Sequence, residues 1–179
     1  MNAAQEVGLE RIVFLAGPYI KSAAKPRRST KNRAALLRYG LYHRLQDEGW
    51  IVTMGEYEAL IHASDPKFGE LNNAVLAEVN HAKKESTDAI IMLPSSAGSF
   101  LELGAFSCIE SICLKMIIII DAQYEKDNSY MNLGPLKQAK ENHADVHFIN
   151  YSDFDKCWEV VEKYIRKRAH KRIARETLS

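Results

Sequence analysis

The 179-residue chain has only three cysteines, Cys108, Cys113 and Cys157. An odd count without metal-ligand spacing excludes a disulfide scaffold and a structural zinc site, and predicts a reducing, cytoplasmic compartment. Neither charge sign predominates: 24 Lys and Arg face 23 Asp and Glu, for a net charge of +1. The molecule as a whole therefore carries no electrostatic demand for a nucleic-acid or membrane partner. Its most apolar run, Met116 to Ile120, is far too short to cross a bilayer, and Met1 to Glu10 is too polar for a secretory leader. The six histidines are scattered without metal spacing. Repeats, low-complexity tracts and internal linkers are lacking. The expectation is one domain over 1–179, with a core at about 11–150 and a C-terminal basic helix at about 153–175. No membrane partner, metal or resident cofactor is expected.

What is there is an alternation of apolar runs and helical patterns. Arg11 to Ala16, Trp50 to Met54, Asp88 to Leu93, Lys115 to Asp121 and Val146 to Ile149 read as strands, the fourth being the most apolar and expected to be central. Ser29 or Thr30 is expected to cap a helix running to about Glu48, with Leu36, Leu37, Leu41 and Leu45 at helical spacing. Further helices are predicted over Glu70 to Lys84, Phe100 to Leu114, Pro135 to Asn142 and Asp153 to Ala174, with a long loop from Gln123 to Gly134. This order implies an α/β fold. It is a single doubly wound, Rossmann-like or flavodoxin-like parallel sheet of about five strands, with helices on both faces. Ligands of such sheets bind beyond the carboxyl ends of the strands, where strand order reverses.

The residues at those ends are unusual. Gly17-Pro18-Tyr19 closes the first strand; Gly17 permits a close approach, and Tyr19 can hydrogen-bond a carboxylate. Glu56 follows the second strand, and Glu78 and Asn80 lie on the helix before the third. After the third strand come Ser96, Gly98 and Ser99, then Glu102 at a helix start, where free backbone N–H groups suit a phosphate or ribose. Each feature also has a plain structural reading. Ser99 and Glu102 have the spacing of a capping box, Gly17-Pro18-Tyr19 that of a simple turn, and Glu56 that of a solvated loop acid. Cys108 and Cys113 read as core residues. The cations Arg166, Lys167, Arg168, Lys171, Arg172 and Arg175 suit a helix C-terminus, with contact to a nucleic acid or acidic partner as the alternative. Lys25 to Arg33 reads as a solvated basic loop, with binding of a substrate phosphate or a nucleic acid as the alternative because it lies close to Tyr19.

Taken in order, Leu15-Ala16-Gly17-Pro18-Tyr19, Leu71-Asn72-Asn73, Asp88-Ala-Ile-Ile and Ser96-Ala-Gly-Ser-Phe-Leu-Glu102-Leu-Gly104-Ala105-Phe106 resemble the nucleoside 2-deoxyribosyltransferase-like family. Within it they are most similar to the deoxyribosyltransferase-like toxins attached to bacterial retrons and other antiviral systems. The resemblance runs from about Arg11 to Asp121. It implies cleavage of an N-glycosidic bond in a nucleotide, as a toxin-like effector in antiphage defence. Glu102 would be the nucleophile, Tyr19 would orient it, and Ser96, Gly98 and Ser99 would hold sugar hydroxyls or a phosphate. Water as acceptor makes a hydrolase, a second base a transferase.

In the family an acid that protonates the departing base stands where this chain has Asn80, which cannot donate a proton; Glu78 and Glu56 are the replacements at hand. A cationic leaving group such as the nicotinamide of NAD needs no such acid, so NAD is the expected substrate rather than a cofactor. The resemblance further implies a homo-oligomer. It also implies a defence-system partner such as a retron reverse transcriptase with its RNA–DNA product. Phosphoribohydrolases of the lysine-decarboxylase-like fold and TIR domains share the layout, but the Pro-Gly-Gly turn of the first and the Trp-Cys pair of the second are lacking. The alternatives carried forward are a housekeeping nucleoside or nucleoside 5′-monophosphate N-glycosidase or deoxyribosyltransferase, a non-catalytic nucleotide sensor, and a protein that works through its basic tail.

Overall fold

The computed structural model describes residues 11–21, 24–27, 32–55, 64–65, 69–70 and 73–178. Strands β1 (Ile12–Ala16), β2 (Ile51–Thr53), β5 (Thr87–Met92), β6 (Met116–Ile120) and β7 (Asp145–Phe148) form one sheet in the order β2-β1-β5-β6-β7, every pair parallel. The fold is the α/β arrangement expected. The central strand is β5, however, not the all-apolar β6, which lies beside it. Two dipeptides, β3 (Ser64–Asp65) and β4 (Gly69–Glu70), pair antiparallel apart from the sheet.

Parity along the strands sorts the core. Side chains alternate across a pleated sheet, so Val13, Leu15, Ala89, Ile91, Ile117 and Ile119 face one side. There they meet α1 (Arg33–Asp47) and α6 (Phe154–Leu178) through Leu37, Leu41, Trp158 and Val161. Phe14, Ala16, Ile90, Met92, Ile118 and Ile120 face the other. They pack under α2 (Ala74–Lys83), α3 (Ala97–Ser107), α4 (Glu110–Cys113) and α5 (Lys137–Glu141) through Ala82, Leu103, Phe106 and Ile112. Burial on both faces explains why these strands read as continuous apolar runs.

Helix boundaries depart from expectation for identifiable reasons. α1 is capped by Asn32, whose side chain accepts from Ala35 N, while Ser29 and Thr30 lie outside the described residues. α2 begins after Asn73, which accepts from Leu76 N, so Glu70 falls in β4 instead of the helix. The predicted helix Phe100 to Leu114 starts at Ala97 and breaks at Ile109, whose backbone is extended. Side chains take over the carbonyls freed there: Asn142 Nδ2 donates to Ser107 O at 2.8 Å and Cys113 Sγ to Phe106 O at 3.3 Å. The expected loop before Pro135 holds a short turn at Ala122–Tyr124. It also holds a wide turn at Asn132–Leu136, where Pro135 cannot donate the ordinary helical bond. α6 continues to Leu178, past the expected Ala174.

At the amino ends of the strands, α6 is pinned to the sheet. Arg172 NH1 donates to both carboxylate oxygens of Asp88 at 3.0 Å, and Ile12 N donates to Asp88 Oδ2 at 3.0 Å. Arg168 donates to Asp88 O and Leu114 O, and buried Lys115 donates through Nζ to Lys84 O at 2.7 Å. Asp88, a motif residue of the resemblance, is thus a fastening at the edge opposite the candidate site.

Candidate active site

Strand order reverses between β1 and β5: the chain passes from β1 to β2 on one side and to β5 on the other. The turns leaving these strands are Gly17-Pro18 and Pro94 to Ser96, at the carboxyl edge where such sheets bind ligands. Gly17 has φ +157°, and a Cβ there would stand 3.1 Å from Leu93 Cβ, so the two strand ends lie close together and a side chain at 17 is strained.

Two arginine-to-carbonyl bonds fix the first turn. Arg38 of α1, 1% exposed, donates NH1 to Pro18 O at 2.8 Å and NH2 to Leu15 O at 2.5 Å. The second turn is held from two directions. Tyr151, after β7, donates its hydroxyl to Ile119 O at 2.8 Å and lies 3.3 Å from Pro94 O. Burial pushes that phenol far above its ordinary range, keeping it a donor. Within the turn, Ser99 Oγ accepts from Ser95 N and Ser96 N, both at 2.9 Å, and donates to Ser96 O, while Ser96 Oγ accepts from Ser99 N.

The N-cap of α3 is therefore Ser96, and its capping-box partner is Ser99. Glu102 is the sixth residue of the helix, not a first-turn residue, so neither the expected capping box with Ser99 nor a dipole role explains it. Ser99 is fully occupied inside the turn. Gly98 stands in open space, where nothing lies within 4 Å of an added Cβ. At any helix start the first amides lack intrahelical acceptors; here those are Ala97 N and Gly98 N.

Glu102 is half-buried and points back toward β2. A Cβ on Gly55, two residues past β2, would lie 3.3 Å from Glu102 Oε1 and would collide with Glu78 Oε1. Two carboxylates, one from α2 and one from α3, thus converge beside a residue that has no side chain to obstruct them. Glu78 is only 8% exposed. One turn along α2, His81 Nε2 stands 2.7 Å from Thr53 Oγ1 and its ring meets Phe14 edge-on at 5.3 Å. Burial, with Lys84 and Lys115 nearby, lowers the pKa of His81, so it serves as a neutral strut between α2 and β2.

The remaining expected residues are not gathered here. Tyr19 is 68% exposed and makes no hydrogen bond to Glu102, because its turn carries the phenol outward. Asn80 is exposed on the side of α2 away from Glu78. Glu56 lies outside the described residues. Arg38, Gly55, His81 and Tyr151 had gone unnoticed in the sequence. Of these, Arg38 carried a signal: it occupies an inward position between Ala34 and Leu41, where a solvated cation does not belong. Among the described residues no group of acidic, histidine and cysteine side chains is arranged to hold a metal ion, and no helix is long and apolar enough to cross a membrane.

Residues 30–178 match the model of the family described as STM3845 retron effector protein. The chain belongs to that family. Two Escherichia coli proteins are similar to this retron effector family member. The retron Ec86 protein, provisionally named a ribosyltransferase/DNA-binding protein, is 42% identical over 66 residues, which cover 37% of this chain and 22% of that protein. The retron Ec73 protein, named in the same provisional terms, is 30% identical over 77 residues, covering 42% and 24% respectively. The matched stretch thus spans less than a quarter of either relative's length.

Proposed function

We propose that this retron effector cleaves the N-glycosidic bond of a nucleotide, with NAD as the substrate, and acts in antiphage defence through that reaction. The observation that carries the reading is the convergence of Glu78 and Glu102 at Gly55, beside the strand-order switch. The resemblance to nucleoside deoxyribosyltransferases and the ribosyltransferase names of the two relatives agree with it.

In this mechanism one Glu102 oxygen faces the anomeric carbon. As the C1′–N bond breaks, its electron pair leaves with the base, and the carboxylate stabilises the oxocarbenium-like centre or bonds to it. Nicotinamide departs neutral from its cationic bound form and takes no proton. Glu78 then accepts the proton of the water whose oxygen adds to C1′, and where Glu102 had bonded there, that bond breaks and its electron pair returns to the carboxylate. For a neutral nucleobase, Glu78 in its protonated form is the donor to the leaving group. The first-turn amides of α3, with open space above Gly98, suit a sugar or phosphate oxygen.

The test is incubation of the protein with NAD, nucleosides and 5′-monophosphates, with released base read by chromatography. The wild type should release nicotinamide, and Glu102→Gln should lose at least a hundredfold in rate. Release from nucleosides or monophosphates alone moves the assignment to a housekeeping glycosidase or transferase. Nucleotide binding by both proteins without turnover overturns the enzyme reading in favour of a sensor.

A further inference from the structure

We propose that the outward face of α6 is a binding surface for a nucleic-acid phosphate backbone. Lys156, Lys163, Lys167 and Lys171 are all exposed, and at 3.6 residues per turn they fall within an arc of about 80°. With 1.5 Å of rise per residue they form a line about 22 Å long. That is the run of about six phosphates along one duplex strand, at roughly 3.4 Å of axis per phosphate. His170 and, in the last turn, Arg175 extend it.

Among the described residues the ammonium groups of the four lysines make no hydrogen bond or ion pair, although Lys156 N donates to Asp153 Oδ1 at 3.1 Å. Two of the neighbouring acids are engaged elsewhere, Glu162 by Arg166 at 2.7 Å and Glu176 by Arg172 at 2.8 Å, leaving Asp155 and Glu159 on one flank.

A helix C-terminus does not account for this row. The dipole effect fades within the last turn, and α6 runs to Leu178, so Lys156 to Lys167 stand several turns away. Lysines at 163, 167 and 171 are also like charges at four-residue spacing, which disfavours the isolated helix. Membrane insertion needs an apolar face, and that of α6 is already buried on the sheet through Cys157, Trp158, Val161 and Ile165. Protein interfaces are poor in lysine and rich in aromatic anchors, and the row has no aromatic residue. A regularly charged polymer is the partner that fits. The surface lies on the face of the sheet opposite α2 and α3, so its occupation leaves the two glutamates uncovered.

The experiment is fluorescence anisotropy of labelled single- and double-stranded oligonucleotides against the full chain from 50 to 200 mM salt, beside anionic vesicles. The variants are Lys163→Gln/Lys167→Gln/Lys171→Gln, Glu159→Lys and Glu102→Gln. Each phosphate contact contributes about 0.9 to the log–log salt slope. The triple variant should therefore lose a slope of about 3, removing roughly 40-fold from the salt sensitivity across that range. Glu159→Lys should steepen the slope, and Glu102→Gln should bind like the wild type. Absence of binding at 50 mM salt, an unchanged slope in the triple variant, or preference for vesicles overturns the proposal. None of these readouts depends on glycosidic cleavage.

Discussion

Replacing Arg172 with methionine keeps the side chain's bulk and removes the guanidinium from Asp88. The Asp88 side chain is 2% exposed and Arg172 27% exposed, so the pair is buried on one partner and partly wetted on the other. After the change, Ile12 N remains as the donor to the carboxylate. Breaking a buried pair from one side costs about 3–5 kcal/mol. Water reaching the vacated guanidinium site lowers that to about 2–4 kcal/mol, and the exposed Arg172–Glu176 contact adds at most about 0.5 kcal/mol. A domain of this size has roughly 5–15 kcal/mol in all, so urea unfolding followed through buried Trp50 and Trp158 should show a large shift. Asp88→Asn in the Arg172→Met background removes the stranded charge and should restore more than half of the loss.

The pH dependence has a definite sign. Burial already holds the Asp88 carboxyl above its ordinary pKa, with Arg172 opposing that shift. Without Arg172 the folded pKa rises further. A group raised in the fold binds its proton more tightly folded than unfolded, so stability is lost as pH rises through that window. The gap between wild type and Arg172→Met should therefore be widest near neutrality and narrow as pH falls into the carboxylate range. A loss below about 1 kcal/mol, a gap indifferent to pH, or no rescue by Asp88→Asn would refute this account of the fastening.

Two further outcomes are expected. Gly55→Ala places a methyl against the flexible end of Glu78 and 3.3 Å from Glu102; the melting point should move by less than about 1 kcal/mol equivalent while base release falls at least tenfold, and full activity would sink the convergent-carboxylate site. Burial and Arg168 lower Lys115 to a pKa of about 8; between there and the ordinary lysine range the unfolded chain holds a proton the folded chain has shed, so this group's contribution to stability rises with pH. Measured against Lys115→Met to cancel the cysteines and tyrosines, the wild type should gain about 2–3 kcal/mol from pH 7 to 10, and a flat difference would show that Lys115 keeps its charge.

Much of the architecture was legible because a sheet buried on both faces writes itself as apolar runs such as Met116 to Ile120, and alternation with helical segments dictates parallel pairing. The rank of the strands was not: Met116 to Ile120 is more apolar than Thr87 to Met92, yet crossover geometry puts the latter at the centre. Helix starts went astray where two candidate caps competed, as with Ser96 and Ser99, since local spacing permits either and only the packed turn decides. Of the candidate site, Glu102 was visible as an acid past the end of the third strand and Glu78 as an acid on the helix before it. Their convergence was not, because it depends on Gly55, whose contribution is the absence of a side chain. The outward course of Tyr19 was not legible, because a sequence does not tell which way a turn carries its ring.

The odd–even sorting of strand residues has a consequence for control. The sheet separates its two sides: the side chains packed beneath α1 and α6 and those packed under α2 and α3 belong to different clusters. The links between the two sides run through the strand ends, where Arg38 and Tyr151 hold the turns of the candidate site, and through the strands, which the fastening at Asp88 anchors. A partner engaged by α6 would leave the strand ends and the two glutamates uncovered. A partner that covered the strand ends, or that shifted Arg38 or Tyr151, would reach the candidate site.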